Sequence, residues 1–118
     1  MRHKARGPET AHPAVFPVEL TTEVLTSFSD RGSVVYEPFL GSGTQLIGAE
    51  NTERVCYGME VVPEYVDVAV RRWQTFTGET ATHADGRAFA EIEAERLSAA
   101  VSAMSDTSSA KPRKRRAA

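Results

Sequence analysis

The sequence predicts an α/β fold in which parallel strands are layered against flanking helices. Two observations carry this prediction. Ser33-Val34-Val35-Tyr36 and Val55-Cys56-Tyr57-Gly58-Met59 are short runs rich in β-branched and aromatic residues. Neither alternates with polar positions, as expected of strands buried on both faces of a parallel sheet. These runs also alternate with segments of helical period, in the order helix–strand–helix–strand–helix, which is the pattern of a layered α/β domain. At 118 residues the chain has room for one domain.

Residues 1–11 are polar, contain proline and glycine, and read as an irregular arm. A helix follows from Pro17, because proline suits a first helical position and Leu20, Val24 and Phe28 recur on one face. Ser29-Asp30-Arg31-Gly32 ends it, with Gly32 as cap or turn. The first strand stops at Pro38, which has no N–H for a ladder. Gly41-Ser42-Gly43 forms a loop and Thr44 to Glu50 turns helical. After the second strand, Pro63 opens another helix, with Val66, Val70 and Trp73 on one face and an end near Thr77-Gly78. Trp73 and Phe76 are expected as core contacts. Ala81-Thr82-His83 reads as a third strand or a loop. Phe89 to Val101 has helical composition, with Phe89, Ile92 and Leu97 as its apolar contacts. The remainder, 105–118, is Ser/Ala/Lys/Arg-rich and reads as a disordered basic tail. The crossover between the two strands is expected to be right-handed.

Hydrophobic residues make up 41% and charged residues 25%, an ordinary globular balance. The net charge of -2 conceals an asymmetry. Between Glu9 and Asp106, 16 acidic residues face 6 arginines, which leaves −10, and the remaining cations sit at the two ends. An acidic body is not a DNA-binding face in itself, although the basic ends can make weak, salt-dependent phosphate contacts. Cys56 is the single cysteine, so no internal disulfide forms, and between Val55 and Tyr57 it reads as a buried strand thiol. The three histidines have no partners at metal-ligand spacing, so no metal is expected. No apolar signal core or membrane-length run is visible, and the expected location is cytoplasmic.

The chemistry is concentrated from Glu37 to Thr44. A strand runs into glycines and a helix then begins, so a ligand can lie against bare backbone beside free N–H groups. Ligands of open α/β sheets bind beyond the carboxyl ends of the strands, where this loop lies. Glu60 follows Gly41 by 19 residues, at the end of the second strand. A carboxylate there is placed to accept hydrogen bonds from ribose hydroxyls. A diphosphate fingerprint needs a third glycine where Leu46 stands, and the P-loop lysine is missing as well. A phosphate-free adenosine cofactor fits better, and S-adenosylmethionine is one. The bland readings are a tight strand-to-helix turn for Gly41 and Gly43, a surface acid for Glu60, and an extended lead-in to a helix for His12-Pro13.

Glu37-Pro-Phe-Leu-Gly-Ser-Gly-Thr44 resembles the D-P-F-x-G-S-G-T cofactor motif of the amino-group DNA methyltransferases, which modify adenine N6 or cytosine N4. Upstream, His12-Pro-Ala-Val-Phe-Pro17 is similar to the K-H-P-A-x-F-P segment that those enzymes set against the methionine part of the cofactor. Downstream, Tyr57-Gly-Met-Glu60 and Pro63-Glu-Tyr65 resemble the ribose-binding acid and the helix after it. The order of the motifs is that of permuted members, whose catalytic half comes first. The resemblance implies a partial, truncated Rossmann-like methyltransferase fold, with residues 12–104 as the subdomain that binds S-adenosylmethionine. It implies cofactor-binding roles for His12, Pro13, Ala14, Phe16, Pro17, Glu37, Pro38, Phe39, Gly41, Ser42, Gly43, Thr44 and Glu60.

Two departures stand out. Glu37 replaces the family's aspartate, which moves the carboxylate by one methylene. The catalytic double-proline motif (D-P-P-Y type) is absent, since no two of the six prolines are adjacent. That motif grips a flipped-out base, so no catalytic residue is nominated. The expected function is the cofactor-binding portion of a DNA methyltransferase that works with DNA through a complementing catalytic half or partner chain. The alternative is a non-catalytic remnant or DNA-associated module. With few strands, self-association through exposed sheet edges is a further expectation.

Overall fold

The computed structural model describes residues 16–108. The chain divides into two compact units, the first ending at Glu79 and the second beginning at Thr80, and each is described by itself. In the first unit the elements are α1 (Val18–Phe28), β1 (Val34–Glu37), α2 (Thr44–Asn51), β2 (Val55–Gly58) and α3 (Pro63–Thr77).

Pro17 precedes α1 as its N-cap, in an extended conformation, rather than occupying the first helical position. The buried stripe of α1 is also not the one expected. Thr21 and Leu25 are buried, whereas Leu20, Val24 and Phe28 are 52%, 47% and 86% exposed. The two stripes are neighbours on the helix surface, and the choice between them was made by the partner. Gly48 of α2 lies so close that a Cβ on it would sit 2.2 Å from Thr21 Cγ2. A small residue is what permits that approach, and the more apolar stripe is left outside.

The C-terminus of α1 is closed by Arg54, which is 9% exposed. Its guanidinium donates to the carbonyls of Ser29 (2.5 Å), Leu25 (3.4 Å) and Thr52, and to Ser29 Oγ (3.2 Å). A cation is favoured at the negative end of a helix, and here it also bonds the Ser29 carbonyl just past the helix end and shares the Leu25 carbonyl with the Ser29 N–H.

Strands β1 and β2 pair in parallel, in register from Val34↔Val55 to Glu37↔Gly58. The crossover between them contains α2, as the alternation of periods predicts. One further ladder bond, Met59 N to Glu37 O at 2.8 Å, extends the pairing past the end of β2. The expectation that both faces are buried fails. Val35 and Cys56 are half-buried on the face that the helices cover. Val34, Tyr36, Val55 and Tyr57 are 65%, 64%, 47% and 62% exposed. An unbroken apolar run records that both faces are suited to burial. It does not supply the second layer. The buried apolar residues of this unit are Leu25, Ile47, Ala49 and Ala69, and they belong to the three helices.

In the second unit, Ala81-Thr82-His83 is one arm of a minimal antiparallel hairpin and not a parallel strand. Thr82 bridges Ala88, His83 N donates to Arg87 O (2.8 Å), and Phe89 N donates to Ala81 O (2.9 Å). Gly86 turns the hairpin with φ 90. The final helix, α4 (Phe89–Ser108), starts where Glu91 reaches back to the Ala88 N–H at 2.8 Å, half of a capping box. It runs past the expected end at Val101 and into the segment read as tail. Phe89 and Ile92 are half-buried, but Leu97 is 62% exposed and makes no core contact of the kind expected. Among the described residues no helix is long and apolar enough to cross a membrane.

Candidate cofactor site

The turn between β1 and α2 is fixed by its own backbone and by both neighbouring elements. Leu40 N donates to Met59 O (2.9 Å) and Gly43 N to Leu40 O (3.0 Å). Gly41 (φ 56) and Gly43 (φ 84) both adopt the left-handed conformation that side chains resist. Gly43 serves as the N-cap residue of α2. Gly41, Ser42, Gly43 and Thr44 are all buried. The helix that begins here leaves its first-turn N–H groups pointing out of its end.

Gly43 has a second reason to lack a side chain. A Cβ there would lie 2.8 Å from Ala69 Cβ and 3.1 Å from Ala69 Cα, so α3 comes down onto the turn at this point. The glycine pattern suggests room for a ligand, and the structure adds room for a helix.

Glu60 joins the turn to the end of β2. Its Oε2 accepts from Gly41 N at 2.8 Å and its Oε1 from Val62 N at 2.9 Å. Each carboxylate oxygen has two lone pairs, so these backbone bonds do not by themselves preclude a ribose hydroxyl. Glu37 folds back on its own turn, with Oε1 accepting from Phe39 N at 2.8 Å. Pro38 and Phe39 are exposed, Phe39 by 86%. Thus Glu37, Pro38, Phe39, Gly41, Ser42, Gly43, Thr44 and Glu60 gather at the carboxyl ends of the two strands. Phe16 and Pro17 are exposed at the start of α1, and the turn's hydrogen bonds do not reach them. His12, Pro13 and Ala14 lie outside the described residues.

Sequence reasoning missed Arg72. One guanidinium nitrogen, Nη1, donates to Ser42 O (2.7 Å), Ser42 Oγ (3.0 Å) and Thr44 Oγ1 (3.4 Å). Its signal is the spacing Ala69-x-x-Arg72, which puts a small and a basic residue on one face of α3. Trp73 Nε1 donates to Glu50 Oε2 (3.0 Å), tying α3 to α2, while Phe76 is 49% exposed and not in the core. A shallow open depression of about 440 Å³ is lined by Ile47, Arg72, Thr75 and Phe76. It includes none of the predicted cofactor residues.

The donors and charges around the turn fit a cationic, hydroxyl-bearing ligand better than a phosphate. Two carboxylates, Glu37 and Glu60, flank it, and the arginine that reaches it is bound to Ser42 and Thr44. The Cys56 thiol, opposite Val35 in the sheet, has its pKa raised, first by burial and then by the Glu37 charge. Among the described residues no group of three His, Cys, Asp or Glu side chains is placed to hold a metal.

Comparison with known proteins bears on the same stretch. The profile of a family described as DNA methylase, of the N6/N4 type, matches residues 1–71, more than half of the chain. The chain is 38% identical over 65 residues to the orphan methyltransferase M.BamHII of Bacillus amyloliquefaciens, covering 55% of this chain and 24% of that protein. It is 42% identical over 64 residues to the type II methyltransferase M.Cfr9I of Citrobacter freundii, covering 54% and 21%. The chain therefore spans about a quarter or less of the curated relatives it matches. Among solved structures, a Thermus thermophilus protein assigned as a DNA modification methylase, complexed with S-adenosyl-L-methionine, superposes with a TM-score of 0.52 at 40% identity. That match covers 54% of this chain and 27% of the other.

Proposed function

Since the chain belongs to the N6/N4 DNA methylase family, we propose that its Glu37–Thr44 turn binds S-adenosylmethionine as the cofactor-binding portion of a DNA amino-methyltransferase. The observation that carries this reading is the 2.8 Å bond from Gly41 N to Glu60. It unites the glycine turn and the acid at adjacent strand ends, where an adenosine cofactor of an α/β fold lies. Glu60 would hold the ribose hydroxyls and Gly41 would leave the backbone bare for the ligand. Phe39 would offer an exposed ring for the base, and Phe16 and Pro17, with His12, Pro13 and Ala14, the methionine end. The cofactor supplies an electrophilic methyl group on sulfur, and the acceptor is the exocyclic nitrogen of adenine or cytosine.

Nothing in these residues grips a target base. The chain carries no adjacent prolines, so the reading assigns base capture to a complementing half, and DNA is reached through it. The same absence favours a second reading, a cofactor-binding module without catalysis. Calorimetric titration of the chain with S-adenosylmethionine, with thermal shift alongside, tests the shared part. Saturable binding with a raised melting temperature is expected, and no binding overturns both readings. Methyl transfer to DNA then separates them. The chain alone is expected to be inactive, and turnover only when a D-P-P-Y-bearing polypeptide is added supports the first. Turnover by the pure chain would refute the assignment of base capture elsewhere.

A further inference from the structure

We propose that Arg72 of α3 is a positioning residue that locks the Ser42–Gly43 peptide plane, so that the glycine turn is held in its ligand-ready shape before any cofactor arrives. The proposal rests on the cofactor reading above for its purpose, but its physical content lies in the ligand-free turn. Ser42 and Thr44 are each 4% exposed. Their carbonyl and hydroxyl groups therefore need protein partners, because a buried polar group without one is costly. Arg72 supplies the partner for Ser42 O and Ser42 Oγ from 30 residues away in sequence, and for Thr44 Oγ1 from 28.

The geometry is that of a clamp on one peptide. A trans peptide directs its C=O and N–H to opposite sides. The Ser42 carbonyl faces Arg72 at 2.7 Å, and the Gly43 N–H faces Leu40 O at 3.0 Å. Both ends of the plane are tied. Gly43 is left-handed, and a glycine visits both signs of φ with little penalty, so without a tie this peptide is free to turn over. Ala69, one helical turn before Arg72, sets the distance of closest approach, since a Cβ added at Gly43 would lie 2.8 Å from the Ala69 Cβ. On the other side, Glu60 holds Gly41 N. A carboxylate grips an N–H and a guanidinium grips a C=O, at neighbouring residues of the turn. Preorganisation of this kind removes an ordering cost that a ligand would otherwise bear.

Arginine is the suitable residue because its rigid planar group holds the one nitrogen that makes these contacts, Nη1, in a fixed direction, whereas lysine offers a single mobile point. The test uses the full chain and two variants, Arg72→Met and Arg72→Lys. Hydrogen exchange of the ligand-free proteins reads the amides of Gly43 and Ile47, which are bonded to Leu40 O and Gly43 O, and calorimetry reads S-adenosylmethionine affinity. Arg72→Met is expected to raise exchange at those two amides at least tenfold while β1 and β2 keep theirs, and to weaken cofactor binding about tenfold. Arg72→Lys is expected to fall between, and it keeps the question decidable if the methionine variant does not fold. Unchanged exchange in the turn for the lysine and methionine variants overturns the proposal. A uniform rise across the whole first unit overturns it too, since that marks a merely structural residue. If the unaltered chain binds no cofactor, the functional reading falls, and the exchange data still decide whether Arg72 locks the turn.

Discussion

Glu60 makes two charge-assisted bonds to backbone N–H groups, each worth roughly 1.5–3 kcal/mol when a charge is involved. Its partial exposure reduces that figure. Glu60→Ala is therefore expected to lower stability in urea titration by about 1–2 kcal/mol and to weaken cofactor binding in calorimetry. Unchanged values in both would remove Glu60 from the site. Gly43 is a separate matter. An added methyl meets the left-handed penalty of about 1–2 kcal/mol and an overpacking cost of about 1–3 kcal/mol against Ala69. Gly43→Ala should thus melt well below the parent, and Ala69→Gly in the same chain should recover the packing share only. A double-mutant cycle with no coupling would show that α3 does not touch the turn. At Cys56 the raised pKa means less thiolate at mildly alkaline pH than an unperturbed thiol has. Glu37→Gln removes the second cause, so it should lower that pKa and speed alkylation at a fixed, mildly alkaline pH. An unaltered or slower rate would contradict the assignment. At this scale the glycines, Glu60 and Glu37 were legible because their spacing is written along the chain. Arg72 was not, since its role depends on where α3 lands, and an arginine in a helix is ordinarily a solvated charge.

Helix order and approximate limits follow from sequence period, because local hydrogen bonding and apolar spacing are short-range properties. Which stripe faces inward does not. On α1 the sequence offers Leu20, Val24 and Phe28, yet Thr21 and Leu25 are buried, because Gly48 admits α1 closest at Thr21. The seam leaves Thr21 Oγ1 buried without a hydrogen-bond partner among the described residues. Replacing such a hydroxyl by a methyl of the same shape removes a desolvation penalty of about 1–3 kcal/mol. Thr21→Val is accordingly expected to be neutral or to stabilise the chain by about 1 kcal/mol in chemical denaturation. A clear loss of stability would mean that the hydroxyl finds a partner in solution. Gly48 also explains why α2, although weakly amphipathic, belongs in the core. Its buried face is chosen for smallness.

At the scale of the whole first unit, the feature that the sequence predicted and that unit does not itself provide is a second covering layer. Parallel sheets are ordinarily buried on both faces, and a two-stranded sheet alone is marginal in water. Here the rungs Val34↔Val55 and Tyr36↔Tyr57 lie on the uncovered face. With two strands in the sheet among the described residues, each strand also has one outer edge without a ladder partner there. Contiguous apolar surface of this sort favours association, and open edges template it. The isolated chain should therefore self-associate with concentration, measurable by sedimentation velocity. Replacing Val34 and Tyr57 together by lysine places a charge on each rung of that face. Both side chains are more than half exposed already, so the first unit should keep its melting temperature while the sedimentation shifts to monomer. A parent chain that stays monomeric at its highest soluble concentration would sink this account. A double variant that associates as before would move the contact to another surface, and one that unfolds would show the face is covered within the chain itself.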